Sequence, residues 1–145
     1  MSADGGRGPF DDETLYVAAM APVVDGRVTV ETRDHGPVTV VEPSWCNGLH
    51  SQGGRREDIC HQAEDVSLVF SVGQAEGPAE FLNSFLTQRP FSPTDTGLYV
   101  GVEMADQHVE LDPAGLDALA AALVKHASVV RASARRLAML RGEAR

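Results

Sequence analysis

The chain has 145 residues, 43% of them hydrophobic, and a formal net charge of −9 at neutral pH. That is enough apolar content for one domain with its own core, without disulfide staples. An acid excess of this size weighs against nucleic acid as the partner of the whole molecule, because binding to a polyanion is driven by neutralising its phosphates. No apolar run approaches the ~20 residues of a membrane-spanning helix, and the opening MSADGGRGPFDDE lacks the apolar stretch of a signal peptide. A cytoplasmic location is therefore expected, with Cys46 and Cys60 as reduced thiols rather than a disulfide.

Charge is unevenly spread. From Lys125 onward six basic residues face one acid, a net +5, so the preceding residues carry −14. An acidic body and a basic tail can pair within one molecule or between two.

Residues 1–13 are small, charged and poor in β-branched residues, the composition of a disordered leader. A single domain is expected over 14–142. TLYVAAMAPVV suggests a first strand. RVTVETR then sets Val28, Val30 and Thr32 on one side and Arg27, Thr29, Glu31 and Arg33 on the other, the alternation of a half-buried strand. Asp34-His35-Gly36-Pro37 has turn residues and PVTVVE resumes the extended pattern, which predicts a hairpin over 27–42.

A polar loop follows, residues 43–61, PSWCNGLHSQGGRREDICH. Beyond it, VSLVFSV places Val66, Leu68, Phe70 and Val72 inward as a strand. FLNSFL spaces Phe81, Leu82, Phe85 and Leu86 as a short helix would, with a strand as the alternative. GLYVGVEM and HVELD, joined by a tight connection at Ala105-Asp106, predict a second antiparallel hairpin. Asp112 then offers an N-cap and Pro113 fits the first helical position. Leu116, Leu119, Leu123, Ala127, Val130, Ala134 and Leu137 recur at steps of three and four, so a long amphipathic helix is predicted over 112–141, ending near Gly142. Its first expected resting place is the apolar face of the sheet. The same stripe could instead carry a partner helix or a homodimer seam. The arginines at its end complement the helix dipole.

The loop holds the chemistry. Thiolate sulfur and neutral imidazole nitrogen are favoured zinc donors, and Cys46, His50, Cys60 and His61 supply the four that a tetrahedral site takes. Asn47-Gly48 makes a sharp turn easy, and Gly53-Gly54 lets the second half fold back on the first. Neighbouring side chains in extended chain point to opposite sides, so Cys60 and His61 share an ion only if the backbone kinks between them. Cys46, His50 and His61 are thus the firmer core, with Cys60, Glu42, Asp58 or water as the fourth donor. Reduced thiols beside surface histidines, or a redox pair, are the competing readings. Trp45 is expected to pin the base of the loop by packing. Glu57 and Asp58 would serve as a base only beside an open metal position.

Pro-Ser-Trp-Cys, then His50, then a second histidine, on a β-rich frame ahead of an Asp-Pro-initiated alanine-rich helix, resembles an uncharacterised small domain family of actinobacteria over roughly residues 27–140. In that family's pattern another cysteine often precedes the proline, where this chain has Glu42. The resemblance implies the fold and a metal loop, and implies no reaction.

The sequence thus predicts an α+β fold, an antiparallel β-sheet of four to six strands packed by one long C-terminal helix, with a zinc-stabilised loop. The function expected is that of a noncatalytic binding or regulatory module whose protein partner is unknown. Its rivals are a small zinc hydrolase with an open metal position and an interaction or dimerisation protein acting through the C-terminal helix.

Overall fold

The computed structural model describes residues 18–71 and 77–143. The leader expected over 1–13, the first residues of the first expected strand and Val72 lie outside the described residues. By their internal contacts the residues fall into two compact units, one formed by the chain up to Glu64 with Gln88–Gly97, the other by Asp65–Thr87 with Leu98 onward.

The first unit is built on a hairpin. Strands β2 (Arg27–Thr32) and β3 (Gly36–Val41) pair antiparallel, with Val28 opposite Val40, Val30 opposite Val38 and Thr32 opposite Gly36. The alternation of β2 is realised in full: Val28, Val30 and Thr32 are buried, while Arg27, Thr29 and Glu31 are exposed. Gly36 takes a positive φ of 63° at the turn, a conformation open to glycine at no steric cost. The Thr32 hydroxyl donates to the Gly36 carbonyl at 2.7 Å and accepts from the His35 amide at 3.1 Å, so the turn closes on its own side chain. Val28 and Val30 form the core with Ala21 and Ile59, and Val38, Val40 and Phe91 pack against it.

Ahead of the hairpin, β1 is shorter than expected, Ala18–Met20 within the 14–24 segment, and pairs antiparallel with β4 (Leu49–Ser51). The loop of 43–61 is therefore not irregular throughout. It contains β4, a 3-10 turn at Arg56–Asp58, and the start of β5 (His61–Gln62).

The second unit contains β6 (Val66–Phe70), β7 (Ala79–Gln88, all but its last residue), β8 (Leu98–Met104), β9 (Gln107–Leu111) and α1 (Pro113–Leu140). Strand β6 pairs with β7, β7 with β8, and β8 with β9; the β6–β7 and β8–β9 pairs are antiparallel. Several antiparallel sheets and one long C-terminal helix make the fold α+β, as the sequence predicts.

One open choice is resolved and one expectation corrected here. Phe81–Leu86 is strand, within β7. Its period of two is broken at Leu82, which takes a φ of 59° where the register against β6 slips between Ser67 and Leu68. One extra residue in a strand shifts the alternation and imitates helical spacing. Val66, Leu68 and Phe70, expected inward, are 70%, 44% and 50% exposed. Alternation identifies an apolar face without saying whether anything covers it. The buried positions of this unit lie instead on β7 and β8, at Phe85, Thr87, Gly101 and Val102.

Helix α1 starts as the sequence predicts: the Asp112 carboxylate accepts the Gly115 amide at 2.8 Å, with Pro113 following in the first turn. It ends where Gly142, at φ 69°, lets its own amide reach the Met139 carbonyl and that of Glu143 reach Ala138. Leu116 and Leu119 are half-buried, but no residue of the helix is fully buried and the stripe beyond is exposed. No described helix is long and apolar enough to cross a membrane.

Candidate metal centre

Local geometry explains how the donors meet. Glu42 follows directly after β3, and its amide donates to the Gly26 carbonyl at 2.8 Å, so the carboxylate stands on the end of the hairpin. The chain then turns, with the Cys46 amide on the Pro43 carbonyl at 3.0 Å. Asn47 Oδ1 accepts the Leu49 amide at 3.0 Å, and Gly48 takes a φ of 78°. A side chain at Gly48 would come 3.0 Å from Met20 Cε, the end of an exposed and flexible side chain that can give way, so it is the positive φ that calls for glycine. In β4 the side chains alternate, and His50 points inward between exposed Leu49 and Ser51.

The returning half is tied to the hairpin backbone. Gly53 N–H donates to the Glu31 carbonyl, Arg33 N–H to Gly54, and Arg56 N–H to Asp34 Oδ1, at 2.8, 2.8 and 2.9 Å. The Arg56 guanidinium lies 4.2 Å from the centre of the Phe91 ring. With the Asn47 amide on the Gln62 carbonyl at 2.8 Å, the two halves of the loop are joined at its base and His61 is delivered beside His50.

Glu42, Cys46, His50 and His61 each present a ligand atom to one locus, all within 4.8 Å of one another. Glu42 Oε2 lies 2.6 Å from His50 Nε2, Glu42 Oε1 3.5 Å from His61 Nδ1, and Cys46 Sγ 3.9 Å from His50 Nε2. Tetrahedral bonds of ~2.0 to 2.3 Å separate their ligand atoms by roughly 3.3 to 3.8 Å, so these donors stand close to the spacing a single cation takes. The histidine side chains are 1% and 2% exposed and the Glu42 side chain 7%. Glu42 Oε1 and His61 Nδ1 face each other buried, and neither has a hydrogen-bond partner in the protein; His50 Nδ1 is likewise buried without one. Buried polar atoms are rarely left so, and a cation between carboxylate and imidazole satisfies the first two. The residues present fit a metal.

Electrostatics at the site are those of a desolvated, mutually dependent cluster. Burial pushes the Glu42 carboxyl up, but hydrogen bonds with Cys46 and His50, and the charges of His50 and His61, outweigh it and leave the pKa lowered. Burial, followed by the Glu42 hydrogen bond, raises the Cys46 thiol. Burial lowers His61 against the opposing pull of Glu42, which favours the neutral imidazole that a metal binds.

Of the four residues that the sequence singles out, Cys46, His50 and His61 come together and Cys60 does not join them. The Cys60 thiol donates to the His61 carbonyl at 3.5 Å and lines a separate surface cleft with Asn47, Leu49, Ser51 and Gln62. Adjacent residues project to opposite sides, and here His61 takes the inner one. Glu42, one of the alternatives for the fourth place, lies with the other three. Asp58 instead accepts the Arg55 amide at 3.3 Å, and Glu57 pairs with Arg55 at 3.0 Å on the surface. Neither cysteine is in a disulfide. Half-buried Trp45 meets the His61 ring edge-on, with centroids 6.2 Å apart, and the His50 and His61 rings cross at 86° with centroids 5.4 Å apart. Trp45 thus packs against a member of the cluster, where an anchor of the loop base would stand.

A family model described as Domain of unknown function (DUF6907) matches residues 27–139. The chain belongs to the DUF6907 family. That match spans the hairpin, the whole loop and nearly all of α1, so the four clustered residues lie inside the DUF6907 region. No curated protein and no solved structure gives a match.

Proposed function

We propose that this DUF6907 domain is a noncatalytic binding or regulatory module of the cytoplasm, in which a zinc ion held by Glu42, Cys46, His50 and His61 fixes the loop 43–61 as a recognition surface for a protein partner. The observation carrying this reading is the convergence of four donors of three kinds, from the hairpin end, the turn, β4 and β5, within 4.8 Å of one another. One carboxylate, one thiolate and two neutral imidazoles balance the charge of a dication, which removes the cost of burying an isolated carboxylate. The nitrogen and sulfur donors favour zinc over magnesium or calcium, which prefer oxygen.

Four protein donors also close the coordination sphere. A hydrolytic zinc needs a place for water, and closed spheres are structural. This supports a module over a hydrolase, a reading in which Glu57 and Asp58 take no part as bases. When bound, the metal would contribute folding energy by holding together segments that span Glu42 to His61.

Native mass spectrometry of the full chain expressed with ample zinc tests the proposal. One zinc per chain, lost on Glu42→Ala or His61→Ala and kept on Cys60→Ser, is the expected result. Protein containing no metal under those conditions overturns it.

A further inference from the structure

Helix α1 carries a pattern that the metal centre does not use. Leu116, Ala120, Leu123, Ala127, Val130, Ala134 and Leu137 follow one another at steps of four and three, a strict seven-residue repeat with a large aliphatic and an alanine in alternation. Seven residues over two turns is the period of a left-handed supercoil of helices. The seam is about 32 Å long at 1.5 Å per residue. It is also uncovered: positions 120–137 are exposed throughout, Leu123, Val130 and Leu137 by 41%, 56% and 53%.

Side-chain size and charge identify the same occupant. In an antiparallel pair of such helices each leucine or valine meets an alanine of the other, so every layer has one large and one small side chain and the backbones approach closely. In a parallel pair alanine meets alanine and leucine meets leucine, which leaves voids in alternate layers, and voids forfeit packing contacts. Charge acts likewise. Asp112 caps the start of the helix and Asp117 follows in its second turn, while Arg131, Arg135 and Arg136 lie in its C-terminal third and Arg141 caps its end. Antiparallel pairing lays the acids of one helix beside the arginines of the other, whereas parallel pairing sets arginine beside arginine. We infer that α1 is a homodimerisation element that pairs antiparallel with the same helix of a second copy, about a two-fold axis near its midpoint. Such an interface is isologous and closes at two copies.

Sedimentation equilibrium of the full chain across the micromolar range tests this. The expected species has twice the 15.5 kDa mass of the chain. Val130→Glu, on the seam, should weaken dimerisation by at least about tenfold, since an unpaired charge is then buried. Ala127→Leu, which keeps the helix but removes the close approach, should weaken it too. Ala132→Glu, on the opposite side of the helix, should change nothing. Asp117→Lys distinguishes orientation: at low salt it weakens an antiparallel pair, where it sets a cation beside the arginines of the other copy, and leaves a parallel pair nearly unchanged, because one like-charge pair then replaces another. A monomeric wild-type chain, a dimer indifferent to Val130→Glu, or a dimer that Asp117→Lys fails to weaken at low salt overturns the inference.

Discussion

Glu42 and His50, eight residues apart in sequence, meet with Oε2 and Nε2 2.6 Å apart and their side chains almost wholly out of solvent. This pair joins the end of the first hairpin to the middle of the loop, so a change at either residue is felt by both. Loss of a supporting contact to a metal ligand typically costs about 10- to 100-fold in affinity, and loss of a ligand should cost more. Glu42→Ala and His50→Ala are each expected to lower zinc affinity by more than about 100-fold in a competition titration against a fluorescent chelator. Equal affinity in Glu42→Ala would remove Glu42 from the site.

The two cysteines separate by the same measurement. Cys46→Ser should lower zinc affinity strongly, because a hydroxyl is a poor substitute for thiolate, whereas Cys60→Ser should leave it within about twofold of the wild type. The reverse ranking would mean that Cys60, and not Cys46, belongs to the centre.

Acid should release the metal. Burial raises the Cys46 thiol above its ordinary range, and the proton must leave before sulfur can bind, so affinity falls as pH falls wherever that thiol remains protonated in the free protein. A slope of about tenfold per pH unit is expected for the release of one proton. Isothermal titration between pH 6 and pH 8, in buffers of different ionisation enthalpy, measures both the slope and the proton count. A flat profile would contradict thiolate ligation.

Chelation should loosen the loop without unfolding the hairpin. The hairpin core rests on Val28 and Val30, each 1% exposed, and needs no metal. Limited proteolysis in chelator should then cut within 46–61 first, and the emission of Trp45, edge-on to His61, should shift. Unaltered cleavage of the loop in chelator would count against metal stabilisation.

Stability itself should be set by a few buried positions. Val30→Ala is expected to cost about 2 to 3 kcal/mol from lost burial and the cavity left behind. Gly101→Ala should cost about 1 to 3 kcal/mol, because its methyl would lie 2.8 Å from Phe85 Cε2 and 3.0 Å from His108 Cε1 in a stacked pair of rings. Val129→Ala, on the exposed helix, should stay within about 0.5 kcal/mol in urea melts.

Features that depend on near neighbours are legible in the amino-acid sequence alone. Alternation defines β2 and β3 because each of their residues takes its side from a period of two, and Asp112-Pro113 marks the start of α1 because capping involves only adjacent turns. Cys46, His50 and His61 stand out because few residue types bind soft metals. Three things are decided only by the tertiary structure. Glu42 as a partner of His50 and His61 depends on where β3 ends relative to β4 and β5, and a lone glutamate after a strand has no distinguishing pattern. The strand character of Phe81–Leu86 is hidden by one bulge residue, Leu82. The exposure of Val66, Leu68 and Phe70, and of the seam on α1, does not follow from periodicity, because a period says which side chains share a face while only packing decides what, if anything, covers it.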